Sequence, residues 1–358
     1  MRARPTPAVR ALVAAAALLS IGLSGCAPSP QPEPDDWTLE PITWDTTLRP
    51  LGTADEATAD GERTDVAFGM SMLAADGDGG FWAMSSGSWL HVDGDGRTTA
   101  RLNTEADDPL TRIDSMAALT STSLITSRND GAPVLAVLDT ETMSLTDLPG
   151  SPDDFAFGEV AARDGQVFAV RYQPAPQGYV DYEVLHIDPT DGTRTVLHRA
   201  PLSPDDALAA APDLPPVDVD VDGKGRIHIA DPNGRFTLDA DGTVLSTTTQ
   251  TAEFPLVAAR PNGDALWWGG ASDASPIDAA GVTIGGSDAA RAAISRAESC
   301  GGGAHSETLT FVDADGAQSL PFLCGANAAV WTGTAWVVAL GGEADGVLVR
   351  LTPPAREA

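Results

Sequence analysis

The stretch from Val217 to Ser246, VDVDVDGKGRIHIADPNGRFTLDADGTVLS, constrains the fold more than any other, because it reads as short strands joined by tight turns. Val217, Val219 and Val221 alternate with Asp218, Asp220 and Asp222, the period of two that a half-buried strand requires. Gly223 and Gly225 accept a positive φ without steric cost, and Asp222 can hydrogen-bond its own backbone, so the chain turns back into RIHIA. A second turn at Asp231 to Gly234 leads into RFTLD. The DADG turn from Asp239 to Gly242 then returns the chain as TVLSTTT, a β-branched outer strand. The unit is a four-stranded antiparallel meander.

One such meander is a common object, and its recurrence makes an architecture. Leu73 to Leu102 is a second copy, with Asp76 standing where Asp222 stands and Asp93 where Asp239 stands. Asp139, Asp188 and Asp313 mark the same place in further copies. Asp93, Asp139, Asp188 and Asp239 recur at intervals of 46, 49 and 51 residues, the length of a propeller blade, whereas the next interval, to Asp313, is 74. The long interval predicts an insertion, at about 271–306, between the second strand DALWWGG and the third strand ETLTFVD of one blade. The predicted fold is therefore an all-β, six-bladed propeller of four-stranded antiparallel blades. If SPIDAAGVTIGG were a hairpin of its own, there would be seven. A ring must also close without an open strand edge. The last unit ends after a third strand at Pro353 and Pro354, and WTLEPITWDTTL, from Trp37, is available to supply its fourth.

The units resemble NHL repeats, whose pattern runs apolar-x-apolar-Asp-x-x-Gly, then a strand ending Ala-Asp, then a strand ending Asp-x-x-Gly. That resemblance implies a rigid disc that presents loops to a partner.

The first residues carry a different signal. Arg2, Arg4 and Arg10 precede the apolar run ALVAAAALLSIGL, which is short for a membrane span, and the run ends in Leu23-Ser24-Gly25-Cys26. The pattern matches the bacterial lipobox. Residues 1–25 are then a lipoprotein signal, Cys26 the lipidated residue, 26–36 a proline-rich acidic linker, and 37–358 the propeller. The expected location is the extracytoplasmic face of the cell membrane. With Cys26 acylated, Cys300 and Cys324 remain as an even pair in an oxidising compartment, so a disulfide between them is expected.

Charge excludes one class of partner. Against 51 Asp and Glu stand 21 Lys and Arg, and Lys224 is the single lysine. A field of that sign rules out nucleic acid. The chain is expected to work as a monomer.

Chemistry in a propeller is sought where the inner strands begin around the axis. Aligning the inner turns places Met72, Asp114, Glu159, Asp218, Glu253 and Asn327 at those positions. Carboxylates facing one axis repel, and calcium, with its preference for oxygen ligands, would relieve the repulsion. The arrangement is similar to that of gluconolactonase-like propellers, a resemblance that implies acidic and amide ligands for calcium in the channel; the inner-turn alignment offers Asp114, Glu159, Asp218, Glu253 and Asn327 as candidates. No catalytic residue is assigned, and no GxSxG, HExxH or phosphate-binding glycine loop occurs. The expected function is non-catalytic binding or scaffolding at the cell surface, of a protein, a glycan or a small ligand on one disc face. The alternative is a calcium-dependent lactonase-like hydrolase or sugar oxidoreductase working in the channel.

Overall fold

A computed structural model describes residues 37–42, 72–85, 87–104, 107–129, 132–151, 153–175, 178–202, 217–249, 255–268, 282–284, 309–313, 316–320, 326–340 and 347–354. Its strands form six sheets. Blade 1 runs Met72–Ala75, Phe81–Ser85, Ser88–Val92 and Thr98–Asn103, and blade 2 runs Ser115–Thr120, Ser123–Arg128, Val134–Asp139 and Ser144–Asp147. Blade 3 has the longest strands, Ala156–Arg163, Gln166–Ala175, Gly178–Ile187 and Arg194–Pro201. Blade 4 comprises Asp218–Val221, Ile227–Asp231, Gly234–Leu238 and Val244–Thr249. In blade 5, Leu256–Ala259 and Ala265–Trp268 precede the insertion, and Leu309–Asp313 and Gly316–Leu320 follow it; Leu266 pairs with Phe311 across the gap. Blade 6 is Ala326–Trp331, Trp336–Leu340 and Val347–Thr352. The six-bladed count holds.

The recurring aspartates explain why the meanders repeat. Asp76 Oδ1 accepts the amides of Asp78 and Gly80, and Asp222 Oδ1 accepts those of Lys224 and Arg226. Asp239 Oδ1 accepts from Asp241 and Thr243 in the same way. Each carboxylate thus satisfies two donors that the tight turn would otherwise leave unpaired.

The ring is closed by the N-terminal strand. Trp37–Pro41 runs antiparallel to Val347–Thr352, with Leu39 opposite Leu351, and so becomes the fourth strand of blade 6. A fifth strand follows that the sequence did not suggest. Val282–Ile284, from the blade 5 insertion, lies parallel to the N-terminal strand, with Trp37 opposite Val282. The segment read as a possible seventh-blade hairpin therefore contributes a short edge strand to blade 6. A parallel partner needs no hairpin turn, and the turn was the sequence cue.

The core lies between blades, as befits sheets that are each buried on both faces. Leu73, Phe81 and Leu90 of blade 1 pack on Val337 and Leu348 of blade 6. Trp82 and Trp89 pack on Met116 and Leu124 of blade 2. Tyr172, Tyr182 and Val184 of blade 3 pack on Val219, Ile227 and Ile229 of blade 4. At the seam, Trp37 lies 5.1 Å from Phe311 in blade 5 and 6.0 Å from Trp336 in blade 6, so the closing strand is held by side chains as well as by its ladder.

Candidate functional site

The six inner strands surround an axial cavity of ≈ 150 Å³. A cavity of about that volume accommodates a molecule no larger than a small ring. Its wall is mostly Ala, Val, Leu and Met, with Ser115, Glu159, Arg163, Asp218 and Asp220 as the polar groups among the described lining residues. A few polar groups in an apolar wall is the composition of a small-molecule site.

Glu159 reaches this wall through an irregularity. In the inner strand of blade 3, Phe157 pairs with Arg171 and Val160 with Ala169, so Gly158 and Glu159 together oppose Val170. Such a bulge redirects side chains. Gly158 is required there because a Cβ would come within 2.7 Å of the Tyr172 ring. Tyr172 is buried, and its hydroxyl engages the backbone of Val217, so the ring forms the fixed back of the bulge.

Burial pushes the Glu159 carboxyl up to about 7, a hydrogen bond from Ser115 opposes the shift, and the charge of Asp114 adds to it. The Ser115 hydroxyl donates to Glu159 Oε2 and accepts the Val160 amide at 3.1 Å. Among the described residues this hydroxyl is the one hydrogen-bond partner of Glu159, which leaves Oε1 open to the cavity. Asp218 differs. Its Oδ1 accepts the Val219 amide at 2.7 Å and its Oδ2 the Val257 amide of blade 5 at 2.6 Å, while burial and then the charge of Glu159 raise its pKa well above the carboxylate range. Asp220 repeats the arrangement one pleat further, accepting Val221 and Ala259, and burial raises its pKa too.

The structure therefore brings Met72, Glu159 and Asp218 to the axial wall, as expected from the sequence. It places Asp114 differently. The inner strand of blade 2 begins at Ser115, and Ser115 is the lining residue; Asp114 stays exposed at the mouth, its carboxylate receiving the Asn129 side chain at 2.8 Å. Asn129 also exchanges bonds with the Phe157 backbone, tying blade 2 to blade 3 beside the mouth. Asn327 is the unpaired residue of a register shift between Ala326 and Ala328; its side chain lies outside the described residues, as do Glu253, Cys26, Cys300 and Cys324. Ser115, Asp220 and Arg163 were not singled out from the sequence, although the VDVDVD alternation already set Asp218 and Asp220 on one side of a strand.

Calcium needs several oxygen ligands converging on one point. Among the described residues no group of three or more His, Cys, Asp or Glu does so, and both oxygens of Asp218 face backbone amides. The described residues do not fit the ion.

No known protein family matches the chain, and no curated protein does. Among solved structures it is similar to a gluconolactonase from Xanthomonas campestris, at 12% identity over 92% of this chain and 99% of that one, with a TM-score of 0.49. A calcium-binding regucalcin from Agrobacterium tumefaciens is 11% identical over 81% and 95%, at 0.47. An oligogalacturonate lyase in complex with manganese is 9% identical over 80% and 89%, at 0.43. The six-bladed fold rests on the strand pairing rather than on these likenesses.

Proposed function

We propose that the chain is a small-molecule hydrolase of the lactonase type, with Glu159 as its proton-transferring group in the axial cavity. The observation that carries the reading is a carboxyl, one oxygen of which has no hydrogen-bond partner among the described residues, with a pKa of about 7 and lining a cavity of ≈ 150 Å³. A general base is most effective when its pKa lies near the working pH. The Glu159 carboxylate would take the proton of a water molecule as its oxygen bonds to the acyl carbon of a cyclic ester. Glu159, now protonated, would give that proton to the departing alkoxide oxygen as the ring opens, and the product is a hydroxy acid. The gluconolactonase named above belongs to the same reaction class, but the reading rests on Glu159. It takes precedence over scaffolding by a disc face because the channel is where burial and an open carboxylate oxygen coincide.

The test is acid release from a panel of small neutral γ- and δ-lactones, followed by titration. Hydrolysis rising with pH through about 7, and falling at least 100-fold in E159Q, is expected. Absence of turnover on the whole panel, or an E159Q variant as active as the parent, would overturn the reading. Calcium chloride and a chelator belong in the same assay, since a calcium-dependent rate would assign the ion to residues such as Glu253 and Asn327.

The remaining expectations from the sequence stand as proposals. Acylation of Cys26 would anchor the domain to the extracytoplasmic face, and the tether would then join the ring at its seam, at Trp37. Incorporation of labelled palmitate that is abolished in C26A tests the anchor. Resistance of Cys300 and Cys324 to alkylation before reduction, but not after, tests the disulfide.

A further inference from the structure

The axial cavity is electrically two-ended. Asp218 begins the inner strand of blade 4, Glu159 lies midway along that of blade 3 beside Ser115, the first residue of the blade 2 inner strand, and Arg163 ends the inner strand of blade 3. Four residues of strand separate Glu159 from Arg163, about 13 Å at ~3.3 Å per residue. Arg163 is the one cation among the described lining residues.

Its guanidinium is held at one corner. Nε donates to the Val221 carbonyl of blade 4 at 2.8 Å, and among the described residues that is its one hydrogen bond. Most other arginines behave otherwise: Arg128, Arg171, Arg194, Arg199, Arg226 and Arg260 each pair with a carboxylate, while Arg235 lies over the Trp267 ring and, like Arg350, has no ion pair among the described residues. In a chain with more than twice as many acidic as basic residues, a cation lining a cavity with no carboxylate within pairing distance, among the described residues, stands apart. Asp220 is near enough for the Arg163 charge to oppose the rise of its pKa, yet its oxygens are committed to the Val221 and Ala259 amides. Anchoring through Nε fixes the plane of the guanidinium and leaves Nη1 and Nη2 as a fork, the geometry that receives a carboxylate through two parallel bonds.

An apolar surface lies at the same level. Trp331 is the last residue of the inner strand of blade 6 and lines the cavity, and the Arg260 guanidinium covers its ring at 4.4 Å. Blades 3 and 6 face each other across the axis, so Trp331 and the alanines of blade 6 form an apolar wall opposite the fork. We infer that Arg163 and Trp331 form an anion subsite at the end of the cavity remote from Glu159, which takes small organic acids by their carboxylate.

The subsite is independent of the hydrolase reading, and its test is binding rather than turnover. Benzoate and benzamide have nearly the same shape and differ in charge, and either ring suits Trp331. Calorimetric titration of both into the full chain, as the cell processes it, is expected to show benzoate binding at least tenfold more tightly. R163Q is expected to bring benzoate down to the level of benzamide, and R163K, which keeps the charge and loses the fork, to fall between. E159Q is expected to retain the preference for benzoate, so failure of the catalytic reading and failure of this one are separable. Absence of benzoate binding to the parent chain, or a preference that survives in R163Q, would overturn the proposal. If R163Q does not fold, R163K decides, because a benzoate affinity unchanged from the parent overturns the fork.

Discussion

The Asp218 carboxylate accepts the amide of Val257, 2.6 Å away and 39 residues further along the chain, and so fastens blade 4 to blade 5 at the axis. Asp220 does the same for Ala259 at the same sequence separation. The inner strand of each blade has an edge without a ladder partner, so its amides need acceptors from elsewhere. Ser115 serves blade 3 likewise, accepting Val160.

D220A should therefore destabilise the ring. The Ala259 amide would be left inside the protein without an acceptor, at a cost of about 1–3 kcal/mol. D220N restores one acceptor oxygen and is expected to recover part of the loss. Urea unfolding of the three proteins checks the order, and a D220A variant as stable as the parent would show that water replaces the carboxylate.

Removal of the Trp37 side chain should open the seam. Trp37 is buried between Phe311 and Trp336, and truncation of a buried tryptophan to alanine costs about 3–5 kcal/mol. W37A is expected to unfold at lower denaturant and to increase hydrogen exchange in Val347–Thr352, its ladder partner. An exchange change spread evenly over the blades would contradict a local seam.

The fold was legible because its turn chemistry is local. An aspartate that binds the amides two and four residues ahead leaves the same pattern in the sequence at Asp76, Asp222 and Asp239. The closing strand was legible from a missing fourth strand at the C-terminus. Val282–Ile284 was not, since a parallel edge strand of three residues has no turn beside it. The cavity wall was legible to within one residue. Glu159 and Asp218 line it, but Ser115 rather than Asp114 does so in blade 2, because parity in a strand flips with a slip of one. Bulges at Gly158–Glu159 and at Asn327 break that parity again. They are set by contacts such as Gly158 against Tyr172, which belong to neighbouring strands and leave no local mark.

G158A is the direct probe of that contact. Its Cβ would meet the Tyr172 ring at 2.7 Å, and the ring is enclosed by blade 4, so one of them must shift. Overpacking of this kind costs about 1–3 kcal/mol. Because Glu159 is the next residue, the apparent pKa of any Glu159-dependent reaction should move in G158A while that of a distant variant such as W37A does not. A pH profile superimposable on the parent would mean that the bulge does not position Glu159.

Stability should fall as the pH is raised from about 4.5 to about 7, and Glu159 should be a main cause. Its folded pKa lies above its ordinary value, so across that window the folded chain holds a proton that the unfolded chain has released, and each step up in pH favours unfolding. At about 1.4 kcal/mol per pKa unit, the shift from 4.5 to about 7 amounts to at most about 3.5 kcal/mol, lost by neutrality and level above it. Asp222 acts in the opposite sense. Despite its burial, hydrogen bonds from His228 and the Arg226 and Lys224 amides hold its pKa below the ordinary value, so its contribution is present at neutral pH and disappears in acid. E159Q is expected to flatten the decline between pH 5 and 7 and to exceed the parent in stability at pH 8, whereas D222N should flatten the acid limb. Denaturant midpoints measured across pH 3 to 8 check both, and an E159Q curve parallel to the parent's between pH 5 and 7 would show that Glu159 ionises in the fold as readily as in the unfolded chain.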